Sequence, residues 1–390
     1  GTNMAIFFIL EALEMMEAGW VKEIQLDKLE RWNQDFDYQY LFEENLTPRY
    51  FENVTQLRLA RLLQKKLAKD LETKYYALLL FDGDSMGKWL SGANLKEDHN
   101  QVEALKKFHT DLAGYLGAFS KNAFNELNGE KGRAIYAGGD DFLGFVNLEH
   151  LFDMLAWMRS QFDEQISQKI NHKKVPFTFS AGLVIAHYKT PLHVVLDWAR
   201  ATEKAAKKHF HPHGQRKDTL GISVMRASGE ITQAFVPWSL EKYVWNKDTA
   251  RPEKQQGPQL CTLSMKELTE SLRTAFSDKW LRSLASEFSL MQDGDGKLEI
   301  EQIGENIGAE MINAELKRLL TRACSKHGEE RDKAVQALLP HLHSLLGPAP
   351  TENFGNFMKT LYICDFIERH TYGPVKSPAA NPTLSETSHA

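Results

Sequence analysis

The spacing of apolar positions changes period along the chain. Ile6, Leu10, Leu13 and Met16 recur at helical spacing, and Leu57, Leu59, Leu62, Leu63 and Leu67 do so again, so residues 1–74 read as a helical segment. The pattern then switches. Tyr76-Ala77-Leu78-Leu79-Leu80-Phe81 is a continuous apolar run, the signature of a central strand buried on both faces, and it ends in Asp82-Gly83-Asp84. Helical spacing returns over about 101–127, with Leu105, Phe108, Leu112, Leu116 and Phe119 on one face. Two short apolar runs, 134–137 and 142–146, flank Gly138-Gly139-Asp140-Asp141. They predict two buried strands joined by a tight two-residue turn whose glycines supply positive φ. A helix follows over about 148–170, a strand within 175–188, and a third helix over about 191–209 with Pro191 in its first turn. Strands over 219–225 and 231–236 close the series. The order β-α-β-β-α-β is a ferredoxin-like plan, so the expected class is α+β.

Beyond this core the pattern changes again. Residues 247–262 open with KDTARPEKQQGP, polar and Pro-bearing, and read as a linker or exposed loop. Leu268, Leu272, Phe276, Leu281, Leu284, Phe288, Leu316, Leu319 and Leu320 predict a helical domain over 263–371. Within it, DGDGKLEIE glances at an EF-hand loop. Placing Gly296 at the required turn puts Met291 first and Gln302 last, so the stretch is an acidic loop between helices. The expected domains are a helical segment over 1–74, an α+β core over 75–246, the linker, the helical domain, and a disordered tail over 372–390 rich in Pro, Ser, Ala and Thr.

Composition narrows the class. The 390 residues suffice for two or three domains, and 42% hydrophobic with 25% charged residues is ordinary for a globular protein. A net charge of −5 excludes a chain that is basic throughout, so any RNA contact must come from local patches or partner subunits. Cys261, Cys324 and Cys364 are far apart and form no CxxC, which excludes a zinc ribbon, argues against a disulfide framework and points to a reducing, cytoplasmic setting. No apolar stretch reaches membrane-spanning length, and the short run near Ala5 is interrupted by Glu11 and lacks a basic leader. A start of Gly1-Thr2-Asn3-Met4 suggests a piece of a longer protein.

The candidate chemistry lies in the acids. Asp140 and Asp141 are adjacent on a turn between apolar strands, and their mutual repulsion favours protonation unless a cation intervenes. Gly and Asp are also ordinary turn residues. Asp82 ends the central strand, a common edge for a site. If that strand lies beside the hairpin, three carboxylates face one another, as two-metal phosphoryl or nucleotidyl transfer requires. Asp82, Asp140 and Asp141 are therefore the candidate catalytic residues and, with the Gly83 carbonyl, the candidate ligands of two Mg²⁺ or Mn²⁺ ions. Backbone N–H groups around Gly83 and Ser85, and around Gly138 and Gly139, are placed to cradle phosphates, with Lys88 adding a point charge or simply solvating the surface. Ser91 and Gly92 follow Lys88 in the same stretch. Asp84 joins the candidate nucleotide site as an acid behind the ligands or a cap of the turn. His209, His211 and His213 lack an accompanying carboxylate or cysteine and read as a solvated loop. Tyr38, Tyr40 and Phe42 read as core packing rather than base-stacking residues.

FDGDSMGKWLSG followed by YAGGDDFLGF resembles the catalytic palm of the large subunit of type III CRISPR–Cas effector complexes, Cmr-type above all. YLFEENLTPRYF, from Tyr40, resembles a segment that precedes that palm, and the resemblance extends over about residues 40–370. It implies a nucleotide-cyclase-like palm that polymerises ATP into cyclic oligoadenylates when the complex binds target RNA. It also places Lys207 where related cyclases carry a phosphate-contacting lysine; a solvated helix end is the plain alternative. It further implies small helical subunits against the C-terminal helices, and guide and target RNA reached through the complex. No paired His-Asp nuclease motif is present, so no DNA cleavage is expected from this chain. The family's site lies between two palms, which implies a second palm in cis or by dimerisation. A GGDEF-type cyclic dinucleotide synthase would share the fold, but the motif is GGDDF, Leu90 stands at the guanine-reading position, and no RxxD motif precedes the hairpin. A non-catalytic scaffold is the second alternative, disfavoured because clustered acids without a cation destabilise a fold. A template-directed polymerase is the third, disfavoured by the lack of thumb and fingers regions.

Overall fold

The computed structural model describes Pro48 and residues 74–96, 101–209, 217–294, 296–298 and 305–371. The helical pattern expected over 1–74, with Tyr38, Tyr40 and Phe42, lies outside the described residues except for Pro48 and Lys74, and His211, His213 and the tail from 372 lie outside them too. The described residues from 74 onward belong to one compact unit.

Its centre is a sheet of order β2-β3-β1-β4-β5-β6. The strands are β1 (Tyr75–Gly83), β2 (Gly132–Ala137), β3 (Phe142–Val146), β4 (Phe179–His187), β5 (Thr219–Met225) and β6 (Ile231–Pro237). β1 pairs antiparallel with both β3 and β4, β4 runs parallel to β5, and β6 returns antiparallel. The first four strands thus have ferredoxin-like order, and β5–β6 extend that sheet. A parallel pair needs a crossover, supplied here by helix.

The continuous apolar character of β1 follows from its position. Ala77, Leu79 and Phe81 pack into the main core with α2 (Val102–Glu126) and α3 (Leu151–Phe162), through Leu112, Leu116, Phe119, Leu151 and Leu155. Leu78 packs on the opposite face against Val195 and Ala199 of α4 (Leu192–Lys208). Covered on both faces, the strand cannot alternate polar and apolar residues. A short helix, α1 (Met86–Leu90), follows β1 directly and is anchored by the buried Trp89.

The stretch read as a linker departs from expectation. Ser239–Asn246 and Arg251–Leu260 form an antiparallel hairpin, β7–β8. β8 is exposed along most of its length, so it needs no apolar alternation, and Pro252 and Pro258 are tolerated because the two-stranded ribbon leaves β8 a free edge. The helices that follow are α5 (Cys261–Thr274), α6 (Lys279–Phe288), α7 (Glu305–Ala323), α8 (Gly328–Leu346) and α9 (Pro350–Thr371). They share the core beneath the sheet: Met265, Leu284, Leu316, Leu342 and Phe357 are continuous with Leu79 and Ile222. Asn356 of α9 caps the sheet's last strand, accepting from Phe235 N–H at 2.9 Å and donating to Phe235 O at 2.8 Å, which protects an otherwise open edge. Among the described residues no helix is long and apolar enough to cross a membrane.

Candidate active site

Two elements build the site: the end of β1 and the turn between β2 and β3. The turn has four residues, Gly138 to Asp141, rather than two, and closes through Gly138 N–H to Asp141 O at 3.0 Å. Only Gly139 has positive φ, at 95°. Ser120 of α2 holds that glycine at both ends: its Oγ accepts from Gly139 N–H at 3.0 Å and donates to Gly139 O at 3.1 Å. A Cβ on Gly138 would overlap the ring tip of the half-exposed Tyr136, which would have to swing aside. Gly83 closes the gap between the elements. Its N–H donates to Asp140 O at 3.0 Å, and a Cβ on it would lie 2.9 Å from Asp140 Cβ. A side chain at position 83 would push the acidic turn off the strand.

The carboxylates at this junction differ in their partners. Asp140 is half-buried; desolvation, together with the charges of Asp82 and Asp141, pushes its carboxyl above the ordinary range despite its own backbone hydrogen bond and Lys207. Asp82 receives the Lys207 ammonium, which also lies 2.7 Å from the buried Glu203. Burial alone would lower the Lys207 pKa, but its bonds to Asp82 and Glu203 prevail and raise it. Lys207 reaches the site because α4 rides close on β4: a Cβ on Gly182 would lie 2.6 Å from Glu203 N. Tyr136 lies near Asp141, whose charge raises the pKa of its hydroxyl.

Among the described residues no three His, Cys, Asp or Glu side chains converge as a ready metal cluster. The donor set nevertheless suits a hard cation. Asp82, Asp140 and the Gly83 backbone supply oxygens only, and Asp140 carries repulsion that a cation would relieve.

Asp84, expected at the nucleotide site, is placed elsewhere. It is 3% exposed, and both carboxylate oxygens are engaged: Thr178 Oγ1 at 2.8 Å, Ser180 Oγ at 2.9 Å and Asp218 N–H at 2.9 Å. Strand alternation is broken by the turn at Gly83, so Asp84 turns inward and ties β1 to β4 and β5. Ser85 adopts φ 60° and accepts from Lys217 Nζ at 2.7 Å. Lys88 is exposed on α1. His209 stacks on Phe235 at 4.7 Å, and burial lowers its pKa.

Several site residues carried no sequence signal. Glu203 is one acid on a helix with no motif around it, and its role appears only when α4 docks. Lys217 and Asp218 are consecutive non-glycine residues with positive φ, 69° and 52°. The Asp218 carboxylate meets Arg159 Nη1 at 2.5 Å, yet burial outweighs that ion pair and pushes its pKa up to about 6. Ser120 lies within a helical pattern that marks it only as polar.

Residues 75–220 match the family model described as Cas10/Cmr2, second palm domain. A curated relative, the CRISPR system Cmr subunit Cmr2 of Pyrococcus furiosus, is 30% identical over 191 residues, covering 45% of this chain and 21% of the relative. The chain therefore spans about a fifth of that relative's length. Among solved structures, the apo type III-B Cmr-beta complex aligns over 79% of this chain and 40% of that chain, at 14% identity and a TM-score of 0.48. A Csm1–Csm4 cassette in complex with cA4 aligns over 76% and 37%, at 15% identity and 0.33. The active GGEEF domain of a diguanylate cyclase from Vibrio cholerae aligns over 37% and 83%, at 14% identity and 0.25. The family match runs from the first residue of β1 into β5 and so takes in both acidic motifs, Asp82-Gly83-Asp84 and Gly138-Gly139-Asp140-Asp141: over these residues the chain is similar to the second palm domain of the Cas10/Cmr2 family.

Proposed function

We propose that this palm is a nucleotidyltransferase that joins ATP into cyclic oligoadenylates within the large subunit of a type III CRISPR effector complex. The observation that supports it most is the junction of Asp82 with the Asp140-Asp141 turn, held by the Gly83–Asp140 contact and faced by Lys207. Asp82, Asp140 and Asp141, with the Gly83 carbonyl, would hold two Mg²⁺ or Mn²⁺ ions. Such ions, when bound, lower the pKa of an attacking 3′-hydroxyl and neutralise a triphosphate. The chain's own part is positioning and charge. Gly83 and Gly139 set the acidic turn at a fixed distance from β1. Lys207 neutralises Asp82 and Glu203 until a ligand enters, then offers its ammonium to phosphate. Lys217, held at Ser85, presents a second ammonium at the N-terminal end of α1. Most of the rate enhancement would come from alignment and charge neutralisation rather than proton transfer by a side chain. The partners proposed are the other subunits of the complex, a small helical subunit at the C-terminal helices, guide and target RNA, and a second palm in cis or from another copy.

The test is mass spectrometry of products after incubation with Mg²⁺ or Mn²⁺ and equimolar ATP and GTP, with and without the rest of the complex and target RNA. Cyclic oligoadenylates that vanish with Asp140→Ala or Asp141→Ala, in variants that remain folded, are the expected result. Cyclic di-GMP would move the protein to the GGDEF activity. Undiminished turnover in both variants would remove the proposal.

A further inference from the structure

We propose that Glu203 is a positioning residue, a buried counter-ion that keeps the Lys207 ammonium in the site when a cation takes Asp82 from it. The proposal rests on the two-metal reading above. Lys207 Nζ meets two carboxylates: Asp82 at the end of β1, and Glu203 at 2.7 Å, one turn earlier on its own helix. The three side chains are graded in depth, with Glu203 9% exposed, Lys207 21% and Asp82 42%. The ammonium therefore stands between an outer acid that a ligand can reach and an inner acid that it cannot. Glu203 Oε1 is enclosed and accepts no aligned hydrogen bond, so the charge of Lys207 is what compensates it.

The fold fixes the inner acid and leaves the outer contact exchangeable. α4 lies so close on β4 that a Cβ on Gly182 would fall 2.6 Å from Glu203 N and 3.0 Å from Glu203 Cβ. The preceding residue, Thr202, ties the same turn to β5 through Ser223 Oγ at 2.8 Å. Glu203 is thus held at its backbone, while the four-carbon stem of Lys207 is free to swing about it. A divalent cation at Asp82 and Asp140 repels the ammonium. With Glu203 present, Lys207 gives up one carboxylate and keeps the other, so its charge stays compensated beside the site, where it can meet a phosphate. Without Glu203, the cation must take from Lys207 its one remaining ion-pair partner among the described residues and leave a half-buried ammonium unpaired.

The experiment is Mn²⁺ binding by electron paramagnetic resonance on the whole chain, with thermal melting in parallel. Asp140→Asn identifies the site-specific signal. Glu203→Gln keeps the shape of the side chain and removes its charge; it should weaken that signal's affinity about tenfold or more. Adding Lys207→Met removes the competing ammonium, so the double variant should bind Mn²⁺ at least as tightly as the wild type. That reversal separates charge compensation from a merely structural role, because a loosened α4 would not be mended by removing Lys207 as well. Unchanged Mn²⁺ affinity in Glu203→Gln, or a loss that Lys207→Met does not reverse, with the signal lost in Asp140→Asn, would overturn the role of Glu203 and leave the two-metal reading standing. Absence of any Asp140-dependent Mn²⁺ signal in the wild type would overturn both.

Discussion

Replacing Asp84 should destabilise the fold itself rather than merely silence a site. Asp84 is surrounded on three sides by donors: Thr178 Oγ1 and Ser180 Oγ from the start of β4 and the residue before it, and the Asp218 N–H just ahead of β5. Its own N–H donates to Thr178 O at 2.8 Å. The carboxylate is thus the strut that joins the ends of three adjacent strands. In Asp84→Ala the two hydroxyls can rotate toward other acceptors, but the Asp218 N–H is fixed by backbone and is left orphaned, which costs about 1–3 kcal/mol. Loss of the charged hydrogen bonds and the small void raise the total to about 3–4 kcal/mol. Asp84→Asn keeps one oxygen for Thr178 and Asp218, and its amide can donate to Ser180 Oγ, so its cost should be about 1–2 kcal/mol.

Urea denaturation followed by far-UV circular dichroism measures this. With a slope of about 3 kcal/mol per molar, Asp84→Ala should lower the midpoint by about 1 M and Asp84→Asn by about half that or less. Asp140→Asn is the contrasting variant. Burial and the charges of Asp82 and Asp141 already disfavour its ionised form, so its midpoint should stay at or above wild type. Were Asp84→Ala to unfold at the wild-type midpoint while losing activity, Asp84 would belong to the reaction and the strut argument would be wrong.

Two further outcomes follow from the same contacts. Asp218 has a folded pKa pushed up to about 6 from 3.8, so its contribution to stability is complete below about pH 4 and is lost as pH rises through 6, by about 3 kcal/mol. Asp218→Asn should therefore flatten the wild-type-minus-variant difference in urea midpoint above pH 7 and below pH 4 but show a step between; a constant difference would refute the shift. Gly182→Val drives a side chain into Ala199 O and Glu203 N, so α4 must lift from β4 at a cost of about 1–3 kcal/mol. A thermal melt lowered by a few degrees should accompany weaker nucleotide binding as Lys207 retreats; an unchanged melt would show that α4 does not depend on that close approach.

The legible parts of this chain were those in which one residue's neighbours are set by period alone. The 3.6-residue spacing of Leu112, Leu116 and Phe119 and the apolar run before Asp82 each describe a face that must be buried, and the structure buries them. Strand β5, over Thr219–Met225, matches the reading to the residue because it is buried along its whole length. The β7–β8 ribbon was invisible for the converse reason: Lys254, Gln255 and Gln256 face water, and no period constrains them. Asp84 was misplaced because the sequence cannot say which side of a turn is filled with donors; that depends on Thr178, Ser180 and Asp218, all far away along the chain. Lys217 and Glu203 were missed because their partners are set by docking, not by spacing.

The two aspartates of Asp82-Gly83-Asp84 show how far a motif can divide its labour. Alternation along β1 puts Tyr76, Leu78, Leu80 and Asp82 on the α4 face, so Asp82 emerges where Lys207 arrives. Gly83 then admits the acidic turn and ends the strand, which frees Asp84 from alternation and lets it enter the protein. One carboxylate is thereby exposed to a ligand and the other consumed by the fold, separated by a glycine that neither could replace. The consequence is directional: a substitution at position 83 should damage both functions at once, since a Cβ there meets Asp140 on the site side and Met86 Cγ at 3.3 Å on the helix side. Any side chain at position 83 would therefore press on the acidic turn and on α1 together. The backbone hydrogen bond from Gly83 to Asp140 holds that acid beside β1 independently of the Lys207–Asp82 ion pair, so the proposed displacement of Lys207 by a ligand would leave the position of Asp140 unchanged.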